Sequence, residues 1–457
     1  MSLPADELSR FFAAIGTVAL YALMCLLIAR REYHKHRSMG QFASAAASNA
    51  RSVWRIAYAS QTGTAEEMAR LTADAFRLAG VRVQLTALSA LDAAALEKAE
   101  RILFVVSTYG EGDPPDNAAL FTQRLIGQAV PLDHLHYALL TLGDSSYTHF
   151  CGFGRQLDGW LEACGARALF PAIEADRCDP DSIAAWYRQL SHLAGTDNAP
   201  DWQGPAFAPW RLAARTHLNP GSQGNGLFHL ELEPANEAAL PHWEAGDLAQ
   251  IQVPTDTPPR EYSIASIPSD GRVHLLVRLH RHSDGTVGAA SGWLTQALNI
   301  GHSVPLRLRR HERFRLGDNA SLPLILIGNG SGISGLRGHL KARATAGSGP
   351  NWLLFGERSA ACDYHYRAEL ETWRETGVLD RLDAVFSRDQ PKRRYVQDRL
   401  LEAGDEVRTW VNNGAAIYVC GSLQGMGRGV DAALSHILGK PALEELALAG
   451  RYRRDVY

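Results

Sequence analysis

A chain of 457 residues is long enough for two to four domains, and 46% apolar against 21% charged residues is the balance of globular protein. With 46 Lys and Arg against 49 Asp and Glu the net charge is -3, which excludes the basic footprint of a nucleic-acid binder. The 6 cysteines show neither CxxC nor regular spacing, so neither a disulfide framework nor a metal site is expected, and a reducing compartment fits.

Residues 11–29, FFAAIGTVALYALMCLLIA, carry no charge and approach the ~20 residues that span a bilayer. RREYHKHR follows at once. A secretory signal puts its positive charges before the apolar run, so cleavage is not expected. Residues 1–30 are read as an N-terminal segment with a transmembrane helix, single-pass in the inner (cytoplasmic) membrane, with the catalytic domains in the cytoplasm. Residues 31–52, small and polar, form a tether. Over 53–194, apolar runs such as RIAYAS (55–60), RILFVVST (101–108) and HYALLTLG (136–143) alternate with amphipathic stretches such as AEEMARLTADAFRLAG. That alternation predicts a doubly wound parallel sheet covered on both faces. A Gly- and Pro-rich linker follows over 195–209. Short strand-like runs fill 210–320 (LFHLELEP, DLAQIQVP, VHLLVRLH, SVPLRLR), as in a small antiparallel β-barrel. The α/β alternation returns over 321–457 with LPLILIG, WLLFG, LDAVFSR and AIYVCG.

Three loops of the first α/β domain stand out. SQTGTAEE (60–67) follows the first strand and opens a helix, so the hydroxyls of Ser60, Thr62 and Thr64, with Gln61 and Gly63 between them, meet an N-terminus that favours an anion. It lacks the lysine and glycine spacing of a P-loop, which disfavours a nucleoside triphosphate. An ordinary capped helix start accounts for this loop taken alone. STYGEGDPPDNA (107–118) and LGDSSYTHFCGFG (142–154) follow later strands and fall on the same carboxyl edge, where doubly wound folds bind ligands. Each brings an aromatic, Tyr109 and Tyr147, beside Gly or Asp. Together they suggest a flat, phosphorylated ligand.

These loops closely resemble the FMN-binding, flavodoxin-like domain of NADPH-dependent diflavin reductases. The resemblance implies that residues 60–64 hold the FMN phosphate and that Tyr109 and Tyr147 flank the isoalloxazine. Gly110, Gly112, Gly143, Asp144 and Phe150 complete the implied site, and Asp176 falls where the family has a carboxylate near its docking edge. Glu111, Asp113, Asp116, Asp144 and Asp176 would make that edge acidic, suited to a one-electron acceptor protein with a basic face.

REYSIAS (260–266) offers an Arg fork for pyrophosphate (Arg260), a ring for a flavin face (Tyr262) and a hydroxyl for flavin N5 (Ser263). Strand alternation puts Arg260 and Tyr262 on one face and Ser263 on the other. GAASGWL (288–294) is a glycine-led turn into a helix. The pair in this order resembles the FAD domain of the ferredoxin–NADP reductase superfamily, which implies Gly288, Ala289, Ala290 and Ser291 at the pyrophosphate. IGNGSGISGLRGHL (327–340) follows a buried strand and opens a helix, so Gly330, Ser331 and Gly332 sit where a dinucleotide is cradled. FSRDQPKRRYVQ and YVCGSLQGMGRGV follow two later strands. Ser387, Arg388, Arg393 and Tyr395 resemble the family's NADPH-selective pattern, with Arg393 where Lys is common and Gln397 counted with them at the nucleotide; a solvated basic strand end explains the arginines but not the ordered set. NADPH is therefore expected over NADH.

The closing RYRRDVY resembles the ending of bacterial sulfite reductase flavoproteins, in which an aromatic ring covers the exposed face of FAD. Tyr457 stands at that position, and Ser263, Cys420 and Asp455 fall on the three polar positions implied in hydride transfer. A buried structural cysteine is the competing reading for Cys420. Two departures accompany the resemblance. GDLAQIQVPTDTPPREYS runs straight through the point where large diflavin members insert a helical connecting domain. The usual Ala-Pro-Phe after the dinucleotide glycines is replaced by Ser334-Gly335-Leu336. With the anchor read at 11–29, the resemblance implies a membrane-anchored NADPH-dependent reductase, with FAD and FMN as cofactors and electrons passing from NADPH through both to a one-electron acceptor protein. A reductase of small acceptors, such as ferric chelates or quinones, is the alternative within enzymes. A flavin-binding scaffold is the alternative outside them, and the Ser263, Cys420 and Asp455 set argues against it.

Overall fold

Residues 53–194, 206–235, 238–254, 259–282 and 284–457 are described by the structure, a computed structural model. They divide into two units, of which residues 65–194 form the bulk of the first and residues 206–457 the bulk of the second.

The first unit contains β1 (Trp54–Ala59), α1 (Thr64–Leu78), β2 (Val83–Ala87), α2 (Ala93–Glu97), β3 (Arg101–Ser107), α3 (Ala119–Arg124) and β4 (His136–Gly143). It continues with α4 (Gly152–Ala163), β5 (Arg167–Ala168), β6 (Ile173–Asp176) and α5 (Pro180–Ala194). The sheet runs β2-β1-β3-β4, with β5 and β6 both pairing with β4, and every pairing is parallel. Residues 102–106 and 137–142 are buried without a break, because helices cover both faces. α1 shows how one face is covered: Ala65, Met68, Ala69, Thr72, Ala73 and Phe76 recur at helical spacing and are all buried. A parallel sheet gathers its strand-to-helix loops at one edge, and the functional loops of this unit lie there.

The second unit opens with β7 (Ala208–His217), β8 (Leu227–Pro234), β9 (Leu248–Ile251), β10 (Arg260–Ser263) and β11 (Val273–Arg278). The short α6 (Ala289–Gly292) and β12 (Ser303–Arg309) follow. Its six strands pair in the order β10-β9-β12-β7-β8-β11, all antiparallel. A bridge between Ile264 and Leu275 joins the two outer strands and curls the sheet towards a barrel. Trp210, Leu212, Leu230, Leu232, Leu275 and Val277 belong to the core it encloses.

The same unit ends in a second parallel sheet. Its elements are β13 (Leu324–Asn329), α7 (Ile333–Ala346), β14 (Asn351–Glu357), α8 (Ala360–Asp363), α9 (Arg367–Glu375) and β15 (Arg381–Phe386). Then come α10 (Val396–Glu402), α11 (Gly404–Asn412), β16 (Ala416–Gly421), α12 (Arg428–Leu438), α13 (Lys440–Leu448) and β17 (Tyr452–Val456). The order β15-β14-β13-β16-β17 reverses direction between β13 and β16, and that reversal opens a crevice at the carboxyl edge. The terminal segment is a sheet strand: Cys420 pairs with Asp455 and Gly421 with Val456.

The expected inner-membrane, single-pass placement is corrected. No helix among the described residues is long and apolar enough to cross a membrane. The longest, α1 and α5, have 15 residues each and carry charges, short of the ~20 apolar residues a span requires. The 11–29 segment that suggested a transmembrane helix, the tether and the linker residues 195–205 lie outside the described residues.

Candidate active site

The three loops of the first unit leave the carboxyl ends of β1, β3 and β4. Ser60 is fully buried and supports its loop: its Oγ accepts the Ala65 N–H at 3.2 Å, and its own N–H donates to Asn117 Oδ1 at 2.9 Å. The hydroxyls of Thr62 and Thr64, 3.5 Å apart, stand where α1 begins, with Gly63 at a φ of 91° between them. In the second loop Tyr109 and Asp113 exchange two backbone hydrogen bonds of 2.8 and 2.9 Å. Gly110 and Gly112 make the turn with positive φ, and a side chain at Gly112 would meet His149 Cβ at 2.8 Å. The second and third loops are thus in contact. A side chain at Gly143 would likewise meet Cys151 Sγ at 2.8 Å. Tyr147 projects from the third loop with 40% of its surface exposed; Tyr109 and Phe150 are half-buried.

Two of the acidic residues do internal work. Asp176 accepts the Ser145 N–H at 2.9 Å and its hydroxyl at 2.6 Å, while Asp144 accepts the same two donors of Ser146 at 2.9 and 2.6 Å. Arg177 spans both carboxylates, 3.2 Å from Asp176 and 3.8 Å from Asp144. Partial burial opposes the charge on Asp176, but the Ser145 donors and Arg177 outweigh it and hold the carboxyl below its usual range. Glu111 and Asp113 are exposed and Asp116 is half-buried. Asn117, which sequence reasoning did not single out, ties the first two loops together. Its Nδ2 and the Thr108 hydroxyl are buried without a protein partner. Orphaned donors beside a phosphate-sized helix start fit a flavin mononucleotide, whose polar groups would satisfy them.

In the second unit a cavity of about 980 Å³ occupies the crevice. Its wall includes Tyr262, Ser263, Gly330, Ser331, Ser387, Arg388, Tyr395, Gln397, Asp455 and Tyr457. That volume lies at the upper end of ordinary ligand clefts, which run to ~1,000 Å³. Backbone approach at the crevice floor leaves no room for side chains: a Cβ on Gly332 would lie 2.0 Å from Cys420 O, and one on Gly421 2.3 Å from Asn329 Oδ1. These glycines let the loop after β13 pack directly on the end of β16. Arg388 and Tyr395 are exposed on the wall, while Ser387 is buried with its N–H on Glu357 O at 2.9 Å.

Some expected residues lie elsewhere. Arg393 is exposed and off this wall, which instead takes Arg394 and Arg358. Arg394 is ion-paired with Glu402. Arg260 is exposed, and Gly288 to Ser291 approach the cavity only through His280, whose N–H donates to Ser291 Oγ at 3.0 Å. Arg278 and Glu357, ion-paired on the wall, went unnoticed in the sequence, although both stand at strand ends on the ligand edge.

Ser263, Cys420 and Asp455 converge, although 192 positions separate the first from the last. Ser263 Oγ donates to Asp455 Oδ2 at 2.7 Å, and Cys420 Sγ lies 3.7 Å from the same oxygen. All three are buried. Burial first, then the Asp455 charge, pushes the Cys420 thiol well above its ordinary range, so it is a neutral donor rather than a thiolate. Tyr457 closes the arrangement. Its N–H donates to Gly421 O at 3.0 Å, its carbonyl accepts the Leu423 N–H at 2.9 Å, and its hydroxyl meets Ser331 Oγ at 2.8 Å. Tyr457 as a residue is 59% exposed and lines the cavity wall.

Comparison with known proteins agrees with this geometry. A flavodoxin family model matches residues 56–186, and an oxidoreductase NAD-binding domain model matches residues 326–432. Among curated relatives, the sulfite reductase (NADPH) flavoprotein alpha-component of Neisseria meningitidis serogroup B is 29% identical, covering 87% of this chain and 88% of the relative. The proteins of the same name from Vibrio cholerae and Bacillus subtilis are 29% and 26% identical, covering 92% and 88% of this chain and 90% and 89% of their own lengths. The alignment to the Neisseria protein runs over 534 positions, more than the 457 residues here, so this chain has long gaps against it.

Proposed function

The chain belongs to the NADPH-dependent diflavin reductase family and is an NADPH-dependent flavoprotein oxidoreductase that uses FAD and FMN, and from that premise we propose that it serves a one-electron acceptor protein. We assign FMN to residues 53–194, FAD to 210–320 and the nicotinamide nucleotide to 321–457. When bound, the two flavins supply the means of taking a hydride and releasing its two electrons singly.

The observation that carries the reading is the convergence of Ser263 and Asp455 beside Tyr457 on the wall of one large cavity, with Cys420 buried behind them on the same carboxylate. Three polar groups buried at one point are costly unless each serves another, and here Asp455 takes hydrogen bonds from both of its neighbours. Ser263 and Cys420 then present donors at one carboxylate, which would steady positive charge developing on nicotinamide. Tyr457 holds the nicotinamide position until the nucleotide displaces it. Ser387, Arg388, Tyr395 and Gln397 supply hydroxyl, guanidinium and amide groups suited to a 2′-phosphate. For FMN, Thr62 and Thr64 would hold a phosphate and Tyr147 would stack on the flavin at an exposed rim. Sulfite reductase, named in the relatives, gives the kind of partner: a protein fed by a flavoprotein component.

The test is to purify the chain, measure bound FAD and FMN, and compare NADPH with NADH as reductant of a ferric haem protein. Near-stoichiometric amounts of both flavins with NADPH strongly preferred would support the proposal. Reduction of dyes or ferric chelates with none of the haem protein would refute the acceptor assignment.

A further inference from the structure

After the dinucleotide glycines this chain carries Ser334-Gly335, and both residues reach the hydride-transfer group. Ser334 and Gly335 are the second and third residues of α7, whose first N–H groups have no partner within the helix. Gly335 packs against the same group: a Cβ there would lie 3.4 Å from Cys420 Sγ and 3.5 Å from Ser263 Cβ. Ser334, buried on the wall of the cavity, turns its hydroxyl away from its own helix and donates to Ser263 O at 2.6 Å. The next residues of α7 continue along the same backbone. Gly338 packs so close to Ile264 O that a Cβ would lie 2.9 Å from it, and Arg337 NH1 donates to Ala265 O at 2.8 Å. Three consecutive carbonyls, of Ser263, Ile264 and Ala265, are thus met by one helix. That helix begins at the glycines of the nucleotide loop.

We propose that Ser334 is a positioning residue for hydride transfer, fixing Ser263 through its carbonyl relative to the nucleotide loop. The inference rests on the functional reading above. Ser334 bonds from the helix that opens at the nucleotide glycines across to the strand that carries Ser263. It is assigned no contact with the transferred hydride and acts through Ser263.

The experiment is anaerobic stopped-flow reduction of the flavin-loaded chain by NADPH in Ser334→Ala and Ser334→Thr, with hydrogen exchange of the peptide 260–267 in the same proteins. Losing one ordinary buried hydrogen bond should slow flavin reduction by roughly tenfold in Ser334→Ala. The NADPH dissociation constant should stay within about twofold, because the bond touches no nucleotide group. Ser334→Thr, which keeps the hydroxyl, should reduce at close to the parent rate. Exchange in 260–267 should rise in Ser334→Ala and stay at the parent level in Ser334→Thr. An unchanged rate in Ser334→Ala, unchanged exchange, or a rate loss matched by lost NADPH affinity each overturns the proposal. Failure of NADPH to reduce the parent protein would instead overturn the functional reading itself.

Discussion

Asp455 lies on β17 and Tyr457 just past its end, and the two should fail differently. The backbone of Tyr457 is held by Gly421 and Leu423, so Tyr457→Ala should leave β17 in place and remove only the ring. Stacking of such a ring is worth about 0.5–1.5 kcal/mol beyond burial, and any nicotinamide must displace it. Tyr457→Ala should therefore tighten apparent NADH binding and lower the NADPH/NADH preference in pre-steady-state flavin reduction; an unchanged ratio would show that the ring does not compete. Asp455→Ala leaves the Ser263 hydroxyl and the buried Cys420 thiol without their shared acceptor. It should slow the reduction step by roughly 10- to 100-fold, consistent with the ~1–3 kcal/mol cost of stranding a buried polar group, without relaxing nucleotide choice. Comparable losses in nucleotide binding would make Asp455 a structural residue.

At the scale of elements, the nucleotide pattern after β15 makes the next prediction. Arg388 is exposed on the cavity wall, free to meet a phosphate without rearrangement of the fold. Arg388→Ala should raise KM for NADPH by roughly 10- to 150-fold, the ~1.5–3 kcal/mol of a charge-assisted bond, and leave KM for NADH nearly unchanged. Equal rises would assign Arg388 to structure. The strands themselves were legible because parallel strands buried on both faces write unbroken apolar runs: HYALLTLG and AIYVCG coincide with β4 and β16. The loops were legible because glycines and hydroxyls cluster after such runs. Less could be read of how the loops are braced. Asn117 bonds to Ser60 across 57 positions, and Asp176 supports Ser145 across 31. Long-range partners leave no local period. For the same reason the sequence pointed to Arg393, whereas Arg394 lies on the wall. The Ser334-Gly335 departure was visible in the sequence, but its meaning required the contacts to Ser263 and Cys420.

For the molecule as a whole, buried histidines set the response to acid. Burial first, then the Arg453 charge, lowers His339 to about 3; both its ring nitrogens lack partners. Burial first, with His274 next, lowers His229 to about 4. Both are neutral when folded, whereas an unfolded imidazole takes a proton near pH 6.5. Below that pH the unfolded chain binds more protons, so stability falls as pH drops from about 6.5 towards the folded values. Each such histidine contributes a slope of about 1.4 kcal/mol per pH unit in that window. Urea unfolding of the second unit between pH 7 and 5 should show the decline, and His339→Phe should flatten it by about one proton; an unaltered slope would mean that His339 titrates normally.

The near-neutral whole conceals an exposed rim around Tyr147 with Glu111 and Asp113, which is where electrons would leave for a basic partner. The most direct measurement of the central claim is NADPH-driven reduction of a ferric haem protein by the full chain before and after selective removal of FMN. The account predicts that FMN-depleted protein still reduces its FAD with NADPH but passes almost nothing to the haem protein, and that added FMN restores transfer. Haem reduction that continues undiminished without FMN would contradict it.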